Sequence, residues 1–128
     1  MAIETIIIGL LSAFFIFASS IKIFGWQKTI FETQRDMFIK YGLNRTIMAV
    51  VGFVELFGAI AIWFQGSLIG SLGALAIVAT SAGAIFFHLI FDTWKDGIAA
   101  MITVTLSACV AWIGKDPIVQ FLGISHLF

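Results

Sequence analysis

Four long apolar runs leave this chain few ways to fold. They cover residues 3–24, 46–64, 68–91 and 98–113. Each approaches the roughly 20 residues that an α-helix needs to cross about 30 Å of hydrocarbon. Because lipid offers the backbone no hydrogen-bond partner, such runs are expected to cross it as helices. The sequence therefore predicts an all-α fold, a four-transmembrane-helix bundle in which residues 1–128 form a single membrane domain.

The composition argues against a water-soluble domain. Hydrophobic residues make up 61% of the 128 positions and charged residues 11%, whereas soluble domains carry about 25% charged residues. The formal net charge is zero, so no nucleic-acid partner is expected and the lipid bilayer is the expected surroundings. The first residues lack a basic segment and a small-residue cleavage site, so no cleavable signal peptide is expected.

The connectors between the runs differ in length and charge. Residues 65–67 and 92–97 are short and predict antiparallel neighbours. Residues 25–45 are longer and charged, with apolar side chains near helical spacing. This pattern predicts an amphipathic interfacial segment between the first two spans, with an ordinary connector as the alternative. The apolar tail, residues 117–128, is too short to span and is expected to lie on the membrane surface.

Lysine and arginine are distributed unequally between the two ends of the predicted bundle. The connectors 25–45 and 92–97 hold most of these residues, and the opposite end holds only Lys115. In a bacterial-type inner (plasma) membrane, the positive-inside rule places both connectors in the cytoplasm. Both termini are then predicted to lie outside.

A single carboxylate interrupts the second apolar run. Glu55 is the only charged residue in 46–64, and a charge near the bilayer centre costs at least about 2.5 kcal/mol on insertion scales. Gly52 and Gly58 lie three residues to either side of it, and small residues let another helix approach closely. Glu55 is therefore predicted to face the bundle interior. Two roles remain open, a hydrogen-bonded link between helices and a group that binds a ligand or a proton.

Three more ionisable residues fall in the same predicted half of the bilayer. His88 and Asp92 are four residues apart and can pair along a helix, although a solvated interfacial histidine is the alternative. Lys22 ends the first run, where it could also reach towards the headgroups. At 1.5 Å per residue, Glu55 lies about 15 Å deep and the other three lie shallower. We expect Glu55 and His88 to line one internal cavity, with Lys22 and Asp92 as further ligand-binding or proton-binding candidates.

The chain shows no residue pattern that defines a reaction. One histidine and one glutamate are too few for a metal site, so none is predicted. Cys109 is the lone cysteine, which excludes an intrachain disulfide and dithiol chemistry. No nucleophile setting is present, and no catalytic residue can be assigned. An autonomous enzyme is therefore not the expected function.

Three segments resemble the DoxX-like family of small four-helix membrane proteins. They are residues 17–25, 51–60 and 73–89. The family pattern has a lysine at the end of the first helix, Gly-x-x-Glu in the second, and Gly-Ala followed by histidine in the third. The matching positions are Lys22, Gly52, Glu55, Gly83, Ala84 and His88. The resemblance covers residues 5–114, and Asn44 stands where a proline is often found.

The resemblance implies an integral membrane accessory or binding subunit. Some relatives are named as subunits of sulfur-oxidising, quinone-reducing complexes, others as partners of redox proteins, and a distant animal relative resembles an assembly chaperone for receptor channels. It follows that an intramembrane polar pocket for a quinone-like lipophile is expected, with a quinone or a bound lipid as the ligand. A redox protein or a second copy of the chain is the expected partner. Two alternatives are a small oligomeric proton-linked transporter and a structural membrane assembly factor.

Overall fold

The computed structural model describes residues 2–123, and these residues form helices joined by short turns. No described residue lies in a strand, so the all-α prediction is confirmed. The six α-helices are α1 (Ala2–Phe24), α2 (Lys28–Lys40), α3 (Arg45–Ala61), α4 (Leu68–Phe91), α5 (Ile98–Ile113) and α6 (Asp116–Leu122), with a short 3-10 helix at Trp94–Gly97 before α5.

Within residues 2–123, three helical segments are long and apolar enough to cross a membrane. They are Ile3–Phe24, Leu68–Phe91 and Trp94–Ile113. A fourth span depends on α3, whose 17 residues are at the lower end of the range that crosses a bilayer. α3 follows α2 after a bend of 114°, so α2 runs across the end of the bundle instead of extending α3.

α3 ends three residues before the apolar run from which it was predicted. Its last residue is Ala61, and the amide N–H of Trp63 and that of Phe64 bond to carbonyls three residues back, at 3.3 and 3.0 Å. This tighter turn brings the chain round to α4. Apolar character continues through the turn, which is why hydropathy alone extended the predicted helix too far.

The long helices pack in a ring, with α1 on α3, α3 on α4, α4 on α5 and α5 back on α1. The buried apolar core contains Leu11, Phe15, Ile62, Ile77 and Val110. These residues come from the middle of α1, the C-cap of α3, the first half of α4 and the last turn of α5. The core therefore lies towards the end of the bundle that carries the α3–α4 turn.

Two glycines set the close approach of α3 and α4. A Cβ added to Gly73 would lie 2.7 Å from the backbone nitrogen of Ile62, and one added to Gly58 would lie 3.0 Å from the carbonyl oxygen of Gly73. Real side chains do not fit at such distances, so these positions require glycine if the hairpin is to close. The glycine-rich start of α4 is thus used for packing within the chain.

Buried hydroxyl groups link the helices by hydrogen bonds. Ser12 Oγ donates to the carbonyl oxygen of Ala59 at 2.8 Å and accepts from Trp63 Nε1 at 2.8 Å, which ties α1 to the end of α3. The Ser81 and Thr103 hydroxyls lie 2.7 Å apart and join α4 to α5. Interhelical bonds of this kind stabilise bundles in lipid by about 0.6 kcal/mol each.

The connector predicted as an amphipathic segment contains α2. The chain leaves α1 at Gly25, whose φ of +66° favours glycine. Arg45, the first residue of α3, donates from Nη2 to the carbonyl oxygen of Ile23 at 2.7 Å. The end of α1 and the start of α3 are thereby held together, and α2 is part of the segment that connects them.

The apolar tail forms α6 over part of its length. Val119 is buried, and α6 packs against α4. The last five residues of the predicted tail, 124–128, lie outside the described residues.

Candidate functional site

A buried ion pair joins α1 to α3. Lys22 Nζ lies 3.0 Å from Glu55 Oε1, and the two side chains are 11% and 8% exposed. Glu55 Oε1 has no well-directed hydrogen bond to any described residue, so the contact is mainly coulombic. Because the two charges cancel, the pair can lie in a region from which either charge alone would be excluded.

Gly52 explains how these two side chains come together. A Cβ at this position would lie 2.9 Å from Ile23 Cγ1 and 3.0 Å from Lys22 Cβ. Glycine therefore allows the last turn of α1 to approach α3 three residues before Glu55. The Gly-x-x-Glu spacing has a physical reason here, since the glycine admits the lysine that neutralises the glutamate.

A second polar cluster lies at the end of α4. His88 Nδ1 is 2.9 Å from Asp92 Oδ2, which is the contact expected from their spacing. Tyr41 donates its hydroxyl to the same carboxylate oxygen at 2.6 Å, and Lys40 forms an ion pair with Oδ1. Tyr41 and Lys40 were not among the candidates found from sequence. Together they join the end of α2 to the end of α4.

The charges in this cluster have identifiable states. The Lys40 ammonium and then the Tyr41 hydroxyl hold the pKa of the Asp92 carboxyl well below its usual range. Burial, and then the adjacent Asp92, raise the pKa of the Tyr41 phenol above its ordinary value. Asp92 is thus an anion and Tyr41 a neutral donor at neutral pH. In the tautomer with the proton on Nδ1, His88 donates to Asp92 and Nε2 is an acceptor that no described residue uses.

Aromatic contacts hold the same junction in place. The Tyr41 ring stacks on Phe87 with centroids 5.1 Å apart and an interplanar angle of 16°. It also lies 5.3 Å from the Phe91 ring and meets His88 edge-on at 6.0 Å. Stacked pairs of this type contribute about 0.5–1.5 kcal/mol beyond their buried area. α2 is therefore fixed over α4 by ring packing as well as by charge.

One cavity of about 430 Å³ lies between the two polar clusters. Its size is within the range of small-molecule pockets. Three of the four candidates from sequence line it, namely Lys22, Glu55 and His88. Asp92 does not line it but contacts His88 Nδ1. The other lining residues are mostly apolar or small and come from α2, the turn after it, α3 and α4: Gln34, Met37, Phe38, Tyr41, Leu43, Val51, Ala79, Thr80, Gly83, Ala84 and Phe87.

The contribution of α2 is what sequence reasoning missed. Gln34, Met37, Phe38 and Tyr41 line the cavity and follow one another by three, one and three residues, which places them on one face of a helix. This spacing was available in the sequence. The helical spacing of Trp26, Ile30, Met37 and Tyr41 predicts an interfacial amphipathic segment, but it does not predict that the neighbouring side chains Gln34 and Phe38 cover a cavity.

Metal-binding groups and thiols are few in the part of the chain that the structure describes. No group of three or more His, Cys, Asp or Glu residues could hold a metal ion within residues 2–123. Cys109 is exposed on α5 as a free thiol. The arrangement around the cavity is suited to binding and to hydrogen bonding or proton exchange at Glu55 and His88.

The fold and the site define a small helical membrane protein. Its bundle contains a cavity with polar side chains, Lys22, Glu55 and His88, in a largely apolar lining. The chain belongs to the DoxX-like family, whose model matches residues 6–113. That match extends from α1 to the end of α5 and includes every residue that lines the cavity. No curated protein and no solved structure matched the chain.

The structure also accounts for the departure from the family pattern at the start of α3. Asn44 is the N-cap of this helix, and its side-chain oxygen accepts from the amide of Ile47 at 2.9 Å. Asparagine is among the preferred N-cap residues. The helix therefore starts without the proline that is often found there.

Proposed function

We propose that this DoxX-like protein is an accessory or binding subunit that holds a quinone-like lipophile in its cavity, within a redox-linked membrane complex. The observation that carries the proposal is that a buried lysine–glutamate pair and a histidine line the same cavity of about 430 Å³, whose remaining lining is largely apolar. Ligand pockets combine an apolar lining with a few placed polar groups in this way.

The polar groups suit the head of a quinone. The Lys22 ammonium supplies N–H donors for a quinone carbonyl. Nε2 of His88, with Nδ1 committed to Asp92, can accept from a hydroxyl of the reduced form. Apolar side chains such as Met37 and Phe38 provide surface for the ring and its tail. Because Cys109 has no thiol partner for dithiol chemistry, electrons would pass to or from a partner protein.

The test uses the protein purified in mild detergent. Lipids extracted from it are identified by mass spectrometry, and binding of a decyl-substituted benzoquinone is measured at equilibrium. We expect a bound prenylquinone, and about tenfold weaker binding by Glu55→Gln, since a hydrogen bond to a charged group contributes about 1.5–3 kcal/mol. The fold should persist, because glutamine keeps an oxygen for Lys22 and Lys22, in the last turn of α1, can extend its charge toward the headgroups. Glu32→Gln, the same change at an exposed position of α2, is the control.

Two results would count against this function. If only phospholipid were extracted and the benzoquinone did not bind, the cavity would be a lipid site. If Glu55→Gln and the native protein bound the quinone equally, the ion pair would not be part of the binding site.

A second candidate, proton-linked transport by an oligomer, is favoured by one observation. Glu55 and His88 are both titratable and both line the same cavity. Transport predicts proton-coupled flux in liposomes that Glu55→Gln abolishes. Native behaviour of Glu55→Gln in both the binding and the flux assays would instead favour a structural assembly factor.

We further propose that the protein resides in a bacterial-type inner membrane with both termini outside. The support is the excess of lysine and arginine in the α1–α3 and α4–α5 connectors. In a Cys109→Ser background, cysteines placed at Lys28 and Lys115 are labelled with a membrane-impermeant maleimide. We expect only the Lys115 position to react from the periplasmic side, and labelling of the Lys28 position from that side would reverse the orientation.

A further inference from the structure

Gly83 differs from the glycines that pack the helices together. A Cβ built at Gly52, Gly58 or Gly73 would lie 2.9, 2.8 or 2.7 Å from a neighbouring atom, whereas one built at Gly83 would meet nothing within 4 Å. Gly83 is not among the positive-φ glycines, which lie in turns and at helix ends. Neither helix packing nor backbone conformation requires glycine at this position.

Another residue at this position would stabilise α4 more than glycine does. Gly83 is well inside α4, and glycine is among the least favourable residues in a helix interior. The space that the missing side chain leaves belongs to the cavity, because Gly83 is one of its lining residues. Ala79 and Ala84 line the cavity beside it. The side chains that α4 presents to the cavity are therefore small at this point, and a ligand in the cavity can contact the α4 backbone.

An independent feature of the same cavity points to a ligand. Glu55 is 6% exposed and lines the cavity, and its Oε1 lies 3.0 Å from Lys22 Nζ without a well-directed hydrogen bond to any described residue. Buried polar atoms are nearly always satisfied in native structures. The open space beside Gly83 and a buried carboxylate that can still accept a hydrogen bond thus belong to one cavity.

We propose that Gly83 is the specificity-determining residue of the cavity, where a flat ring of the ligand lies against the backbone of α4. Met37 and Phe38 of α2 line the same space and would cover the ring. The inference rests on the proposed quinone-binding function and adds to it the residue that selects for a ring. A rigid ring cannot avoid a side chain at Gly83, whereas a flexible acyl chain can bend round a methyl group.

The experiment compares Gly83→Ala and Gly83→Leu with Ala82→Leu, an exposed neighbour on α4 that does not line the cavity. Decyl-substituted benzoquinone and decanol, which has the same tail without the ring, are the probes. Gly83→Ala should raise the midpoint of thermal unfolding by about 3 °C, because alanine favours the helix. It should weaken quinone binding by about tenfold through crowding and leave decanol binding within about twofold. Gly83→Leu should abolish quinone binding, and Ala82→Leu should change neither affinity.

The outcomes separate this inference from the function on which it rests. Failure of the native protein to bind the benzoquinone overturns the proposed function. Native binding that Gly83→Ala and Gly83→Leu retain overturns only the role of Gly83. A lower unfolding midpoint in Gly83→Ala would also overturn it, because glycine would then be required by the fold. If Gly83→Leu fails to fold, Gly83→Ala still decides the question.

Discussion

Replacing Lys22 by methionine should destabilise the folded protein by about 3–5 kcal/mol, the usual cost of removing one partner from a buried ion pair. Methionine keeps most of the side-chain volume, so the loss comes from the charge. Glu55 would be left without its cation at a position where its side chain is 8% exposed, and it is too short to reach the membrane surface. The measurement is thermal or denaturant unfolding of the purified protein in one fixed detergent.

The double variant Lys22→Met/Glu55→Leu separates charge from packing. With both charges gone, no uncompensated group remains, and stability should return to near the native value or exceed it. If the single Lys22→Met variant were as stable as the native protein, the ion pair would not form in the membrane. If the double variant stayed as unstable as the single one, the loss would come from packing against α3.

Replacing Gly73 by leucine should prevent the native bundle from forming. A Cβ at this position would lie 2.7 Å from the backbone nitrogen of Ile62 and 2.9 Å from the carbonyl carbon of Ala61. Backbone atoms cannot move aside as a flexible side chain can, so the cost should exceed the roughly 1–3 kcal/mol typical of overpacking. Loss of a single symmetric peak in size-exclusion chromatography, and of cooperative unfolding, is the expected result.

Leucine at position 82 is the matched control for this change. Ala82 is on the same helix and exposed, so Ala82→Leu adds apolar volume without entering the α3–α4 contact. It should fold like the native protein. A well-folded Gly73→Leu protein would mean that α3 and α4 do not pack as closely as their glycines indicate.

Much of this protein follows from patterns that are local in the sequence. Run length and hydropathy were enough to predict helices and a membrane location, because every backbone group in lipid must be bonded within its own helix. The contact between His88 and Asp92 follows from their spacing of four on α4. Glu55 could be singled out because a charge in a long apolar run is costly wherever the helix finally packs.

Other features depend on contacts between segments that are far apart in the sequence, and the sequence pattern does not show how these segments align. The partner of Glu55 is set by how closely α1 approaches at Gly52, and Tyr41 reaches Asp92 because α2 turns across the end of α4. Gly73 and Gly83 look alike in the sequence, yet one is pressed against backbone and the other borders open space. Helix periodicity defines faces, but only the packing of the helices decides which faces meet and where a cavity is left between them.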